Sequence, residues 1–261
     1  MNVLVCLSII LFVLMKTISG KKGTKSFIAL FFNFGIILLT ILLMAKEVSN
    51  PIFLTLIACL IIGCINLFYI NAINLKSIIA FGATMITLLF LVVLIFIIVG
   101  KANIQGFGVE EIEELSFFNF YVGIDFLKIA ISTIIMGSIG AITDTAISIS
   151  SAMNEIWRHN PNLSRSTLFK SGMNVGKDIL GTTTNTLYFA FIGGYLALII
   201  WFNDLSYSFG EVINTKVFSS EVISIFCIGT GAILIIPITA GLTAYFFTRP
   251  KVEVSVNKKI R

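Results

Sequence analysis

Charge is the scarcest property of this chain. Asp, Glu, Lys and Arg make up only 12% of its 261 residues, against roughly 25% in an average soluble domain. Histidine occurs once, tryptophan twice, and proline and cysteine four times each. With 57% hydrophobic residues, so few charges cannot cover a water-facing surface. That excludes a cytosolic enzyme, a secreted disulfide scaffold and a disordered tail, and makes the lipid bilayer the solvent. The single histidine, His159, excludes a histidine metal cluster and leaves one candidate for a Ser–His–Asp arrangement. Cys6, Cys59, Cys64 and Cys227 all lie inside apolar runs without CxxC spacing. They read as small apolar residues, not as disulfides or metal ligands. HExxH, a P-loop, GxGxxG and the Gly-x-Gly-Asp signature of intramembrane aspartyl proteases are all missing. The expectation is a protein that is no enzyme, holds no cofactor or metal, and must take any energy from an ion gradient or a partner.

What is present is long apolar runs. A membrane-crossing helix needs about 20 mostly apolar residues. Seven runs qualify or nearly so, near 2–18, 26–45, 52–73, 77–99, 124–153, 174–202 and 221–248. They predict an all-α, polytopic transmembrane bundle of about seven helices in a single integral membrane domain, 1–261. The first run has no basic region before it and no A-x-A-like cleavage site, and reads as an uncleaved helix. Lys16, Lys21, Lys22 and Lys25 follow it.

The net charge of +5 is placed for a membrane, not for nucleic acid. With the N-terminus outside, the cytoplasmic segments and their flanks hold 14 of the 18 basic residues, including Lys76, Arg158, Arg165, Lys170, Lys177, Arg249, Lys251, Lys258, Lys259 and Arg261. The outer segments hold Lys46, Lys101 and Lys216, and Lys128 lies near the outer face. This asymmetry predicts an outer N-terminus and a cytoplasmic C-terminus. In the longest outer segment, Val109, Ile112, Leu115 and Phe118 or Phe120 recur opposite Glu110, Glu111, Glu113 and Glu114. That spacing predicts a short extracytoplasmic amphipathic helix over 105–121, with a solvated acidic loop as the alternative.

The first four helices are Ile, Leu, Phe and Val with few interruptions and read as scaffold. The fifth and sixth are rich in Gly, Ala, Ser and Thr, which let helices approach closely in a bilayer. Asp144 lies deep in the fifth. Helical spacing puts Gly137, Ala141, Asp144, Ser148, Ser151 and Glu155 on one stripe, with Thr145 beside it. A stripe this small and polar should face the bundle interior or a wet cleft. The returning helix carries Asp178, Gly181, Thr182 and Asn185 on one stripe, and Asn185 could lie at a depth comparable to that of Asp144. Desolvation penalises a carboxylate's charged form, so Asp144 is a candidate proton or ion site, with Thr145, Ser148, Thr182 and Asn185 as its neighbours. Gly137, Gly140 and Gly181 are the candidate packing glycines. The alternative makes Asp144 a permanently protonated tie between two helices. Asp125 and Lys128 read as a local ion pair, and Pro237 as a kink.

These stretches carry a resemblance. GAITDTAISISSAMNEI, then NPNLS, then LFKSGMNVGKDILGTTTNTLYFAFIGG, resemble the YibE/F-like integral membrane proteins. Lacking an extra N-terminal extracytoplasmic region, the chain is similar to the shorter, YibF-type member of a two-component pair, and the resemblance implies a YibE-type membrane partner. A weaker resemblance is to SecD, SecF and the wider RND permeases. There an Asp–Thr pair, matched here by Asp144 and Thr145, precedes a Thr-rich returning helix ending in Gly–Gly, matched by Thr182–Thr184, Thr186, Gly193 and Gly194. That resemblance implies proton flow coupled to export. The large domain that SecD and SecF carry between their first two helices is missing. The resulting expectation is a multi-pass, transporter-like or export-related subunit of the cell membrane, coupled to a proton or ion gradient. The alternative is a non-enzymatic scaffold that anchors a partner protein.

Overall fold

A computed structural model describes residues 3–45, 49–108 and 125–249. The 105–121 segment from residue 109 onward, Lys46 and the basic tail from Lys251 to Arg261 lie outside the described residues. Every regular element among those described is helical: α1 Val3–Met44, α2 Pro51–Cys64 running on into a π-helical turn Ile65–Tyr69, α3 Leu75–Ala102, α4 Phe126–His159, α5 Arg165–Gly194, α6 Leu196–Asp204, α7 Phe209–Asn214 and α8 Lys216–Phe247. Five of these, α1 to α4 and α8, with the π turn counted in α2, are long and apolar enough to cross a membrane. A sixth crossing arises if α5 and α6, bent by 47° at Tyr195, form one span.

The first two apolar runs are joined more tightly than a seven-residue loop would allow. α1 is helical on both sides of Gly20, whose φ of 56° and ψ of −128° break it. Glycine occupies such a conformation without the penalty a Cβ would bring. In a straight helix residues 12 and 27 would stand about 22 Å apart, yet the rings of Phe12 and Phe27 are 5.0 Å apart, centroid to centroid. The chain therefore doubles back at Gly20. The arm before Gly20 contains no buried residue, whereas the returning arm packs against α2 and its π turn. Between these two elements Asn33 Nδ2 donates to Asn66 Oδ1 at 2.8 Å.

Side-chain caps set the helix starts. Asn50 accepts from Ile52 N ahead of Pro51 at the first turn of α2, and Asn74 accepts from Ser77 N in α3. Ser164 accepts from Thr167 N in α5, and α7 opens on a reciprocal Ser208–Glu211 capping box. Each satisfies an otherwise unpaired backbone donor. The Ser164 cap explains why α5 begins at Arg165, before its apolar run, so that only residues 160–164 separate it from α4. α8 continues through Pro237.

The core lies where α3, α4 and α8 meet. Leu91, Ile95, Ile131, Ile135, Ile142, Ile149 and Ile235 are completely buried there. Gly231 of α8 sits at the centre: a Cβ on it would fall 2.6 Å from Leu91 Cδ1 and 3.2 Å from Ile142 Cδ1. α2 and α5 close two sides of this core. Lys25 lies 5.6 Å over the Tyr69 ring, while Arg165 and Arg249 lie 4.6 and 4.4 Å over Tyr245. These contacts tie the basic turns to neighbouring helix ends.

Candidate functional site

α4 has two unlike faces, and its sequence explains both. Asp125 caps it, accepting from Lys128 N at 3.3 Å and pairing with Lys128 Nζ at 3.1 Å. The hydrogen bond from the Lys128 side chain holds the Asp125 carboxyl below the usual carboxylate range. From there Ile131, Ile135, Ile142, Ile149 and Met153 run down the face that packs on α3 and α8. Buried Ser138, Thr143 and Ser150 on that face return their hydroxyls to the α4 backbone, with Ser138 Oγ donating to Ile135 O at 2.7 Å and Thr143 Oγ1 to Ile139 O at 2.7 Å. They add bulk to the core while meeting their own hydrogen-bonding needs.

The opposite face carries Gly137, Asp144, Ser148 and Glu155, all exposed. The spacing predicts a stripe turned to the bundle interior or a wet cleft. The structure instead puts it on the outside of the chain, with the isoleucine face packed on α3 and α8. Thr145 does not share it: it is buried, one step round the helix, away from Asp144. Asp144 makes no hydrogen bond or ion pair within the described residues. At the end of α4, Glu155 and Arg158 pair at 3.6 Å on the surface.

α5 divides at Gly176. Below it, Leu168, Gly172 and Gly176 are buried. A Cβ on Gly172 would strike Met153 Sδ and one on Gly176 would strike Ile236 Cγ2, so these two glycines bring α5 onto α4 and α8. Beyond Gly176, no residue up to Gly194 is buried. Thr182 and Asn185 lie there, exposed, with Lys177 and Asp178 just below them. Thr182 Oγ1 donates to Ile179 O at 2.8 Å, Thr184 Oγ1 to Leu180 O at 2.8 Å and Thr186 Oγ1 to Thr182 O at 2.9 Å. Asn185, Lys177 and Asp178 make no such bond.

No hydrogen bond joins the predicted site residues to one another among the described residues. Asp144, Ser148, Thr182 and Asn185 all lie on uncovered helix surface, while Thr145 points into the core. Of the expected packing glycines, Gly137 lies against α8, an added Cβ falling 3.2 Å from Ile228 Cδ1, but Gly140 and Gly181 face open space. Gly172, Gly176 and Gly231 make the close approaches instead. The Asn33–Asn66 bond was marked in sequence only by two lone amides inside apolar runs. Among the described residues no three His, Cys, Asp or Glu side chains come together as metal ligands.

A bundle of capped, apolar helices with an acidic side chain inside one span defines a polytopic membrane protein. A family model matches residues 7–249, nearly the whole chain, and carries the description YibE/F-like protein. The chain belongs to that family. No curated protein and no solved structure matches it. The likeness to SecD and SecF thus rests on the Asp–Thr and Thr-rich stretches alone.

Proposed function

We propose that this protein is a transporter-like subunit of the cell membrane, not an enzyme, in which Asp144 binds and releases a proton. One observation carries the reading: a carboxylate inside a membrane-spanning helix with no partner among the described residues. Ionisable groups at such depth are costly and are by default functional. An ionised Asp144 demands donors or water, and a protonated one demands far less. Proton binding thus changes what α4 must meet along its exposed stripe, and with it the packing beside α5. One proton moving through a 100 mV potential supplies about 2.3 kcal/mol, a population shift of roughly 50-fold between two packings.

The test is labelling by a hydrophobic carbodiimide in native membranes across pH, read by mass spectrometry. Labelling of Asp144 that falls as pH rises near neutrality supports the reading, and Asp144→Asn then abolishes function while leaving the protein folded and inserted. Labelling that is constant or missing at every pH overturns it. The second reading is a non-enzymatic scaffold for a partner protein, the YibE-type protein implied by the family's two-component pairs. The uncovered length of α5 favours it, and full function in Asp144→Asn would select it.

A further inference from the structure

We propose that a second copy of this chain covers the exposed face of α4 and α5, with Asp144 of each copy meeting Lys177 and Thr182 of the other. This rests on the reading of Asp144 as the site and completes that site.

The need for a cover comes from the solvent. Lipid offers no hydrogen bonds, so polar groups within a span turn to protein or to a water-filled cavity. Here Asp144, Lys177 and Asn185 are exposed, their side chains make no hydrogen bond or ion pair among the described residues, and they sit on neighbouring helices. From Lys177 to Gly194 no residue of α5 is buried.

The choice of a second copy comes from charge and depth. Asp144 and Lys177 are opposite charges that do not pair within the chain. Residues 160–164 are so short a link that His159 and Arg165 end their helices at one level. Asp144 lies 15 residues from His159 and Lys177 lies 12 residues from Arg165, or about 22 and 18 Å along their helices. The long lysine stem spans that difference. Thr182 lies about 25 Å along α5 by the same rise; its hydroxyl hydrogen goes to Ile179 O, so its oxygen can accept from the O–H of a protonated Asp144, as Lys177 meets the ionised form. Copies of one chain carry one charge bias and insert in one orientation. A closed pair of them is related by a two-fold axis along the membrane normal, which preserves depth. Groups at equal depth on α4 and α5 then meet twice, once on each side of the axis.

The test uses the full chain in native membranes, with the four cysteines replaced by serine. Asp144→Cys is placed on a copy with one tag and Lys177→Cys on a copy with another. A short bis-maleimide should join the two tags at least tenfold more than when Asp144→Cys is matched with Leu89→Cys, which lies on the exposed side of α3. A chain that stays single, or one that is joined only to another polypeptide such as a YibE-type protein, overturns the proposal. Charge exchange is the second measurement. Asp144→Lys alone and Lys177→Asp alone should lower the dimer fraction, counted by single-molecule photobleaching, at least tenfold, and the double exchange should restore it. Dimers unaffected by either exchange also overturn it. Joined tags with pH-independent carbodiimide labelling would leave the dimer standing and refute the proton reading. A titrating Asp144 in a single chain would do the reverse.

Discussion

The two faces of α4 are built from the same helix and obey different rules. One carries Ile131, Ile135, Ile142 and Ile149, completely buried against α3 and α8. The other carries Asp144 and Ser148 in the open. In water the apolar face would be inside because water drives it there. In lipid that drive is lost, since the acyl chains are as apolar as leucine, and helices associate through fit and hydrogen bonding. The buried face of α4 is the one that interdigitates with α3 and α8, and the polar face is left for another purpose. α5 repeats the lesson along its length, close-packed at Gly172 and Gly176 and with no fully buried residue beyond.

The largest effect should come from breaking the packed face. Ile142→Ala removes a completely buried side chain that touches the space beside Gly231, and should cost about 2–5 kcal/mol. Ser148→Ala, six residues on and on the open face, should change stability by less than about 0.5 kcal/mol. Chemical unfolding in detergent micelles measures both. Equal effects would mean that the two faces are not distinct. Next is Gly176→Ala. The new methyl meets Ile236 Cγ2, a β-branched side chain with little freedom to turn aside, and the overpacking should cost about 1–3 kcal/mol. Gly181→Ala, five residues on, meets nothing and should leave thermal stability unchanged or slightly raised, because alanine is the better helix former.

How far the sequence could be read follows from the same physics. Asp144 was legible because a carboxylate inside an apolar run is costly wherever it points. Its stripe was legible too, from helical period alone. Its direction was not, because the usual rule that apolar residues face inward has no force in a bilayer. Thr145 was placed beside Asp144 by adjacency in sequence, but one residue is a 100° turn on a helix, enough to move it into the core. Glycines could be counted but not assigned: whether Gly140 or Gly172 makes the close approach depends on where Met153 and Ala240 stand. The fold class and the basic clusters were legible from composition. The doubling back between the first two apolar runs was legible too, but its tightness was not, since a glycine among lysines reads equally well as an ordinary loop and here helix runs up to Gly20 on both sides.

The smallest effect sharpens the comparison at the helix start, where α4 leaves the apolar region. Asp125 caps α4 and is paired with Lys128, both side chains being nearly half exposed. Asp125→Ala should cost about 1 kcal/mol or less, since water screens the ion pair and only the cap remains at full strength. The pH dependence has a definite sign. The carboxyl is held below its usual range by Lys128, so the folded state binds its proton less readily than the unfolded chain does. Its stabilisation is complete above the ordinary carboxylate range and fades as pH falls through the lowered value. Wild type and Asp125→Ala should therefore differ in thermal stability at neutral pH and converge in acid. Asp125→Asn should keep most of the cap and lose the pH dependence. A difference that persists undiminished in strong acid would show that Asp125 acts through the shape of the turn and not through its charge.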